Sequence, residues 1–232
     1  MRLDGGAHGA WLQLPGPATA ELMASAGFDF VAIDQQHGLV GDDALLPMLM
    51  ALRDVPALVR PTVTSADAIG RALDRGADGV VVPLVDSAKD AAAAVAACHH
   101  PPRGTRSYGP TRQGWRGERP SPVCVVMIET VGAVEAVEDI AAVDGVDALF
   151  VGPSDLALAH GMPTGAQDGD AAYDALLTRI VDAAAGTPVG IYTASAAHAV
   201  RFRGMGFTFT AGPSEATLLR AAAVEHVRAA RG

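Results

Sequence analysis

The chain has 232 residues, 17 Lys and Arg against 26 Asp and Glu for a formal charge of −9, half of its residues apolar and 19% charged. The acidic balance excludes general nucleic-acid binding by neutralisation of a phosphate backbone. No apolar run reaches the ~18 residues of a membrane span, and the start, MRLDGGAHGAW, lacks the basic segment and apolar stretch of a signal peptide. The two cysteines, Cys98 in an Ala-rich helical stretch and Cys124 in an apolar run, have no CxxC spacing. They read as buried, reduced thiols of a cytoplasmic protein.

Taken in order, residues 10–14 are a short strand and 18–26 a helix stopped by Gly27. A strand over 28–33 leads to Asp34, Gln35, Gln36, His37 and Gly38, and a helix follows from Asp42 to Arg53. Residues 57–60 form a third strand ending in Arg60 and Pro61. Ser65 caps a helix that runs to Gly76. GVVVPLV over 79–85 is a fourth strand, and an Ala-rich helix spans 87–99.

Residues 100–121 break this rhythm with Arg103, Arg106, Arg112, Arg116 and Arg119 among Gly104, Gly109, Gly114 and Gly117. A loop this long in a compact chain is a functional segment or a solvated excursion. Its basic character suits an anionic ligand or a neighbouring subunit.

The stretch from Pro122 to Gly161 then reads strand, helix, strand, helix, its apolar runs ending at Ile128-Glu129-Thr130 and Val151-Gly152-Pro153-Ser154-Asp155. Residues 171–185 are a helix, 188–192 a strand, 195–203 a helix, 207–211 a strand and 215–230 a last helix. Eight alternating strand–helix units at this length predict a single (β/α)₈ barrel over 1–232. An open doubly wound sheet is disfavoured by the absence of G-x-G-x-x-G after the first strand.

In such a barrel, polar residues at the carboxyl ends of different strands converge. Here these are Asp34, His37, Arg60, Glu129 and Asp155. Glu129 and Asp155 offer hard oxygen ligands for a divalent cation, or are acids favoured by helix dipoles. His37 is a candidate proton carrier, or a hydrogen-bonded structural histidine. Arg60 supplies a fixed positive charge for a keto oxygen, or is a surface cation. The only lysine, Lys89, lies in a helix, so no strand-end lysine is available for imine chemistry. The kit fits enolate chemistry on a 2-keto acid, with a metal as Lewis acid.

The segments GFDFVAIDQQHG (27–38), VRP (59–61), LDRGADGVVVPLVDSA (73–88), PPRGTRSYGP (101–110), VMIET (126–130), GVDALFVGPSDLALAHG (145–161) and FTAGPSEATLL (209–219) resemble the HpcH/HpaI family of metal-dependent class II pyruvate aldolases, almost end to end and in order. The resemblance implies metal ligation by Glu129 and Asp155 and a catalytic His37 paired with Asp74, an acid that otherwise reads as an ordinary helix residue. It implies that Arg60 holds the keto oxygen and that the backbone amides of Ser154 and Asp155 receive the carboxylate. It departs at Gln36, where many members have Glu, and at Met127, where many have Gln.

The implied activity is reversible cleavage of a 4-hydroxy-2-keto acid to pyruvate and an aldehyde through a metal-bound enolate, with Mg²⁺, Mn²⁺ or Co²⁺. The implied assembly is a homo-oligomer, a hexamer built as a trimer of dimers, with the last helix exchanged between subunits. Two alternatives remain open at this point: a lyase or synthase of the citrate-lyase β type acting on oxaloacetate or an acyl thioester, and a barrel that binds a keto acid without turnover. No nucleic-acid or membrane partner is expected.

Overall fold

The structure is a computed structural model that describes residue 1, residues 3–115 and residues 121–232. Arg116, Gly117 and Arg119 of the basic segment lie outside the described residues. In chain order the elements are β1 (Ala7–Leu12), α1 (Pro17–Ala24), β2 (Phe30–Asp34), α2 (Asp42–Ala51), β3 (Ala57–Arg60), α3 (Ala66–Asp74), β4 (Gly79–Val82), α4 (Ala88–Cys98) and α5 (Arg112–Trp115). They continue with β5 (Val123–Ile128), α6 (Val131–Glu135), α7 (Val137–Ala141), β6 (Ala148–Val151), α8 (Pro153–Ala159), a short 3₁₀ turn, α9 (Ala171–Ala183), β7 (Val189–Tyr192), α10 (Ala196–Gly204), β8 (Phe209–Ser214) and α11 (Glu215–Arg231). The strands close in sequence order, β1 to β8, and every pairing is parallel. The expected barrel is therefore the fold.

Period-two alternation sorts each strand into two faces. Ile33, Val59, Val82, Ile128 and Val151 turn outward into the core shared with the helices. Trp11, Phe30, Leu58, Val125, Met127, Phe150 and Phe209 fill the interior. Their rings form a connected column: Phe30 meets Phe209 edge-on at 6.1 Å, Phe209 meets Phe150 at 5.8 Å, and Phe150 stacks on Trp11 at 5.5 Å. Such pairs contribute about 0.5–1.5 kcal/mol each beyond the area they bury. Gly9 makes room for this column, because a Cβ there would sit 2.3 Å from the Phe30 ring.

The helices that follow the strands start close to the carboxyl-end edge. Side-chain oxygens of Ser65, Ser87, Thr130, Ser195 and Ser214 cap α3, α4, α6, α10 and α11. Each cap is worth about 1 kcal/mol. The start of α8 differs: its N-cap is Gly152, which has no side chain to satisfy the first turn.

Several boundaries moved from their expected places. β4 ends at Val82 rather than at residue 85, because Pro83 has no N–H to continue the ladder. β1 spans 7–12 instead of 10–14, and β8 runs on to Ser214, paired with Trp11. The basic segment contains a short helix, α5, where only a loop was expected. Asp34 is the last residue of β2 and not the first after it.

The last helix meets the barrel only at its beginning. The Glu215 carboxylate accepts from Gln13 N–H at 2.8 Å and from Leu14 N–H at 2.6 Å, tying α11 to the end of β1. From Thr217 onward every residue is exposed, including Leu218, Leu219, Val224 and Val227.

Candidate active site

The inward residues at the carboxyl ends of the strands surround a cavity of about 200 Å³. His37, Arg60, Ser154 and Asp155 line it, with Trp11, Gln13, Met127, Phe150, Gly152, Pro153 and Tyr192. The volume lies below the ~300–1,000 Å³ common for drug-sized ligands and suits a small polar molecule. One wall is charged; the other is aromatic, the open end of the Phe–Trp column.

Arg60 ends β3 and is 7% exposed. It forms a two-pronged ion pair with Asp34, its strand neighbour, through Nε to Oδ1 at 2.9 Å and Nη2 to Oδ2 at 2.7 Å. Its guanidinium lies 5.0 Å from the Trp11 ring. The remaining nitrogen, Nη1, faces the Met127 sulfur at 4.0 Å. Met127 therefore offers Arg60 only a weak acceptor, and a ligand oxygen can take that nitrogen. Arg60 is no surface cation.

Asp34 is fully buried. Burial alone would raise its pKa, but Arg60, by hydrogen bond and charge, outweighs that effect. The His37 N–H and the Trp11 indole add to it, and the carboxyl is held below its ordinary range.

Glu129 follows β5 directly, and only 1% of it is exposed. Its Oε1 accepts the Leu84 N–H at 2.8 Å. Leu84 presents that N–H from a left-handed backbone conformation, φ 52°, just after the proline that ends β4. The other oxygen, Oε2, is buried and has no hydrogen-bond partner. Burial pushes the Glu129 pKa up, the Leu84 N–H opposes it, Asp155 raises it, Arg60 lowers it and Asp86 raises it, leaving a value of about 6. Gly152 is what gives Oε2 its space: a Cβ there would stand 2.4 Å from it.

A divalent cation fits this arrangement. A buried carboxylate oxygen without a partner is costly, and here it faces a bare glycine at the cavity wall, with the exposed Asp155 in the first turn of α8, the helix after the next strand. Among the described residues no group of three or more His, Cys, Asp or Glu side chains assembles. The protein ligands would therefore be the two carboxylates, the number with which Mg²⁺ and similar ions commonly bind while keeping water or substrate oxygens.

His37 is exposed at the cavity rim. Its backbone N–H donates to Asp34 Oδ1 at 3.2 Å, which fixes the turn that carries it. Asp74 is not beside it. It is the final residue of α3, which runs from the carboxyl-end edge of the barrel back to the opposite edge. There its Oδ1 accepts from Arg106 at 2.5 Å. Within one chain the structure thus brings His37, Arg60, Glu129, Ser154 and Asp155 together and leaves Asp74 apart. Gln36, one of the two departures from the expected pattern, carries a buried Oε1 without a partner.

Sequence reasoning missed the aromatic wall and the Leu84 N–H. The wall was legible in principle: Trp11, Phe150 and Tyr192 sit at the inward parity of β1, β6 and β7, near their ends. The Leu84 contact was not, since it depends on a backbone conformation.

A family model described as HpcH/HpaI aldolase/citrate lyase matches residues 8–222. A hydroxypyruvate/pyruvate aldolase of Rhizorhabdus wittichii is 34% identical over 232 residues, covering 95% of this chain and 92% of its own length. A 4-hydroxy-2-oxovalerate aldolase of Novosphingobium aromaticivorans is 40% identical over 197 residues, covering 79% of this chain and 74% of its own. Among solved structures, an HpcH/HpaI aldolase/citrate lyase family protein from Burkholderia cenocepacia superposes with a TM-score of 0.92 at 29% identity, covering 99% of this chain and 96% of that one. The chain belongs to the HpcH/HpaI aldolase/citrate lyase family.

Proposed function

We propose, with membership of that family as the premise, that this chain is a carbon–carbon lyase: a class II aldolase that reversibly cleaves a 4-hydroxy-2-keto acid to pyruvate and an aldehyde. The observation that carries the reading is the buried, unpartnered Oε2 of Glu129 directly behind bare Gly152, a residue that lines the same cavity as the Arg60 guanidinium. Glu129 and Asp155 would hold Mg²⁺, Mn²⁺ or Co²⁺, and the bound ion supplies Lewis-acid stabilisation of charge developing on the keto oxygen.

The side chains do the rest. Arg60, its other nitrogens occupied by Asp34, offers Nη1 to the keto oxygen. The substrate carboxylate lies against the first turn of α8, where the N–H groups of Ser154 and Asp155 have no intrahelical acceptor and Gly152 provides no cap. His37 takes the proton of the 4-hydroxyl as the bond between C3 and C4 breaks, and the aldehyde leaves. A proton returned to C3 gives pyruvate. The aromatic wall excludes water from that side of the cavity.

Asp74 lies at the far edge of its own barrel, so a pairing with His37 would come from a second copy. The exposed apolar positions of α11 support a homo-oligomer in which that helix crosses to a neighbour, as a hexamer of three dimers. No described helix is long and apolar enough to cross a membrane. The two free, buried thiols suit a cytoplasmic setting for a single barrel domain.

The test is exchange of the pyruvate methyl protons in D₂O, followed by NMR with each metal, with chelator, and in Glu129→Ala and His37→Ala. Metal-dependent exchange that is lost in the first variant and depressed in the second is expected. A folded protein that exchanges nothing with any metal would refute the reading.

A further inference from the structure

We infer that Asp34 is the positioning residue of this cavity: it selects which nitrogen of Arg60 meets the ligand and anchors the turn that presents His37. The inference rests on the keto-acid reading above and goes beyond its set of acting residues.

Hydrogen bonds from three parts of the chain converge on this one buried carboxylate. Oδ1 accepts from Arg60 Nε at 2.9 Å, Gln36 N at 3.0 Å and His37 N at 3.2 Å. Oδ2 accepts from Arg60 Nη2 at 2.7 Å, Trp11 Nε1 at 3.2 Å and Gln13 Nε2 at 3.4 Å. Four of the five residues involved, Trp11, Gln13, His37 and Arg60, line the cavity. Asp34 itself does not line it.

The geometry has a definite consequence for Arg60. A guanidinium has five donors in a rigid fork. Asp34 occupies the Nε–Nη2 edge, so the opposite nitrogen, Nη1, is turned away from it toward Met127 and the cavity. Trp11, held by the same carboxylate, stays close beneath the guanidinium, 5.0 Å from ring centroid to Arg60 Cζ. Rotation of the guanidinium would break two charged hydrogen bonds at once. His37 is coupled differently, through its backbone: Oδ1 closes the 34–37 turn.

Asparagine at position 34 cannot reproduce this pattern. Its amide nitrogen would point donors at donors on one side, either at Arg60 and Trp11 or at Arg60 and the turn N–H groups. Its charge would also be gone. Arg60 would then be free to turn, so the effect of Asp34→Asn on pyruvate affinity should pass through Arg60 and disappear when Arg60 is absent.

The experiment compares the metal-loaded wild type, Asp34→Asn, Arg60→Ala and the double variant. Two readouts are used with pyruvate as the probe: KM and kcat of methyl-proton exchange, and Kd from the fluorescence of the cavity tryptophan, in a Trp115→Phe background. Asp34→Asn should weaken KM and Kd by about ten-fold or more, the scale for a misplaced charged hydrogen bond. In the Arg60→Ala background the same change should alter Kd by less than about two-fold. Wild-type KM and Kd in Asp34→Asn, or single effects that multiply in the double variant, overturn the inference. If circular dichroism shows Asp34→Asn unfolded, Asp34→Glu takes its place. It keeps the charge but moves the carboxylate by one methylene, so a raised Kd is expected and a wild-type Kd is again refuting. A wild type that binds pyruvate without exchanging its protons would sink the aldolase reading and leave the Asp34 test intact through Kd. A wild type that does not bind pyruvate overturns both.

Discussion

Replacing Glu129 by Gln should stabilise the metal-free protein, and only above a definite pH. The wild-type carboxyl titrates at about 6 in the folded chain, against an ordinary value of 4.5. Between those values the folded state holds a proton that the unfolded state has lost. Stability therefore falls as pH rises through that window and stays reduced above it. The gap amounts to about 2 kcal/mol. Glutamine cannot ionise, and its Oε1 can still accept the Leu84 N–H. Any cost of its NH₂ group beside Gly152 is the same at every pH, so the pH-dependent part of the difference isolates the charge. For a chain of this size the difference in melting temperature should grow by roughly 4–8 °C between pH 4.5 and pH 7. The measurement is thermal or urea unfolding of both proteins in chelator, at one protomer concentration. Added Mn²⁺ should reverse the order, raising the wild type and leaving Glu129→Gln unmoved. A difference that stays flat across the window would refute the claim that Glu129 is held ionised against its surroundings.

Gly152→Ala meets no backbone strain, since φ there is −90°, but its Cβ would press on Glu129 Oε2. Titration with Mn²⁺ by calorimetry should show affinity reduced by about ten-fold or more, and unchanged affinity would remove Gly152 from the site. Tyr173 donates its buried hydroxyl to the Pro153 carbonyl at 3.1 Å, behind the cavity wall. Tyr173→Phe should cost about 1 kcal/mol and lower the melting temperature by roughly 2–4 °C; an unchanged melting temperature would show that the bond contributes nothing. Leu219 is 65% exposed on α11. Leu219→Asp should reduce the particle mass seen by light scattering, and an unaltered mass would count against α11 as a subunit contact.

The barrel was readable because its strands are short apolar runs separated by capped helices, and because their count and spacing allow little else. The site was readable to the extent that it follows from strand parity. Arg60, Glu129 and Asp34 share the inward side with Leu58, Met127 and Ala32, so a position at a strand's end fixes the side of the barrel wall that its side chain takes. What parity does not encode is which inward groups satisfy one another. Arg60 and Asp34 are 26 positions apart and Trp11 and Asp34 are 23 apart, and their pairing depends on register between strands. The end of β4 was misplaced because Val85 continues an apolar run that Pro83 has already broken. Asp74 carries no local mark of its partner. It reads as a last-turn helix acid, and the residue that binds it, Arg106, comes from a segment without periodicity.

The two buried carboxylates at this end of the barrel explain each other. Asp34 and Glu129 are both buried from solvent, yet one pKa falls and the other rises. The difference is in their donors. Asp34 has an arginine fork across both oxygens, two backbone N–H groups on Oδ1 and an indole on Oδ2. Glu129 has a single backbone N–H on one oxygen and none on the other. A saturated carboxylate has no capacity left for a ligand and can only orient its donors. An unsaturated one keeps a lone-pair face for a cation that the fold does not itself supply. Arg60 divides the two: its fork satisfies Asp34, and its charge reaches Glu129 only as a weaker, opposing influence. Were the fork to turn toward Glu129, the empty oxygen would be filled and the cation site proposed above could not form. Asp34 therefore keeps Arg60 in place for the ligand and also keeps it off Glu129.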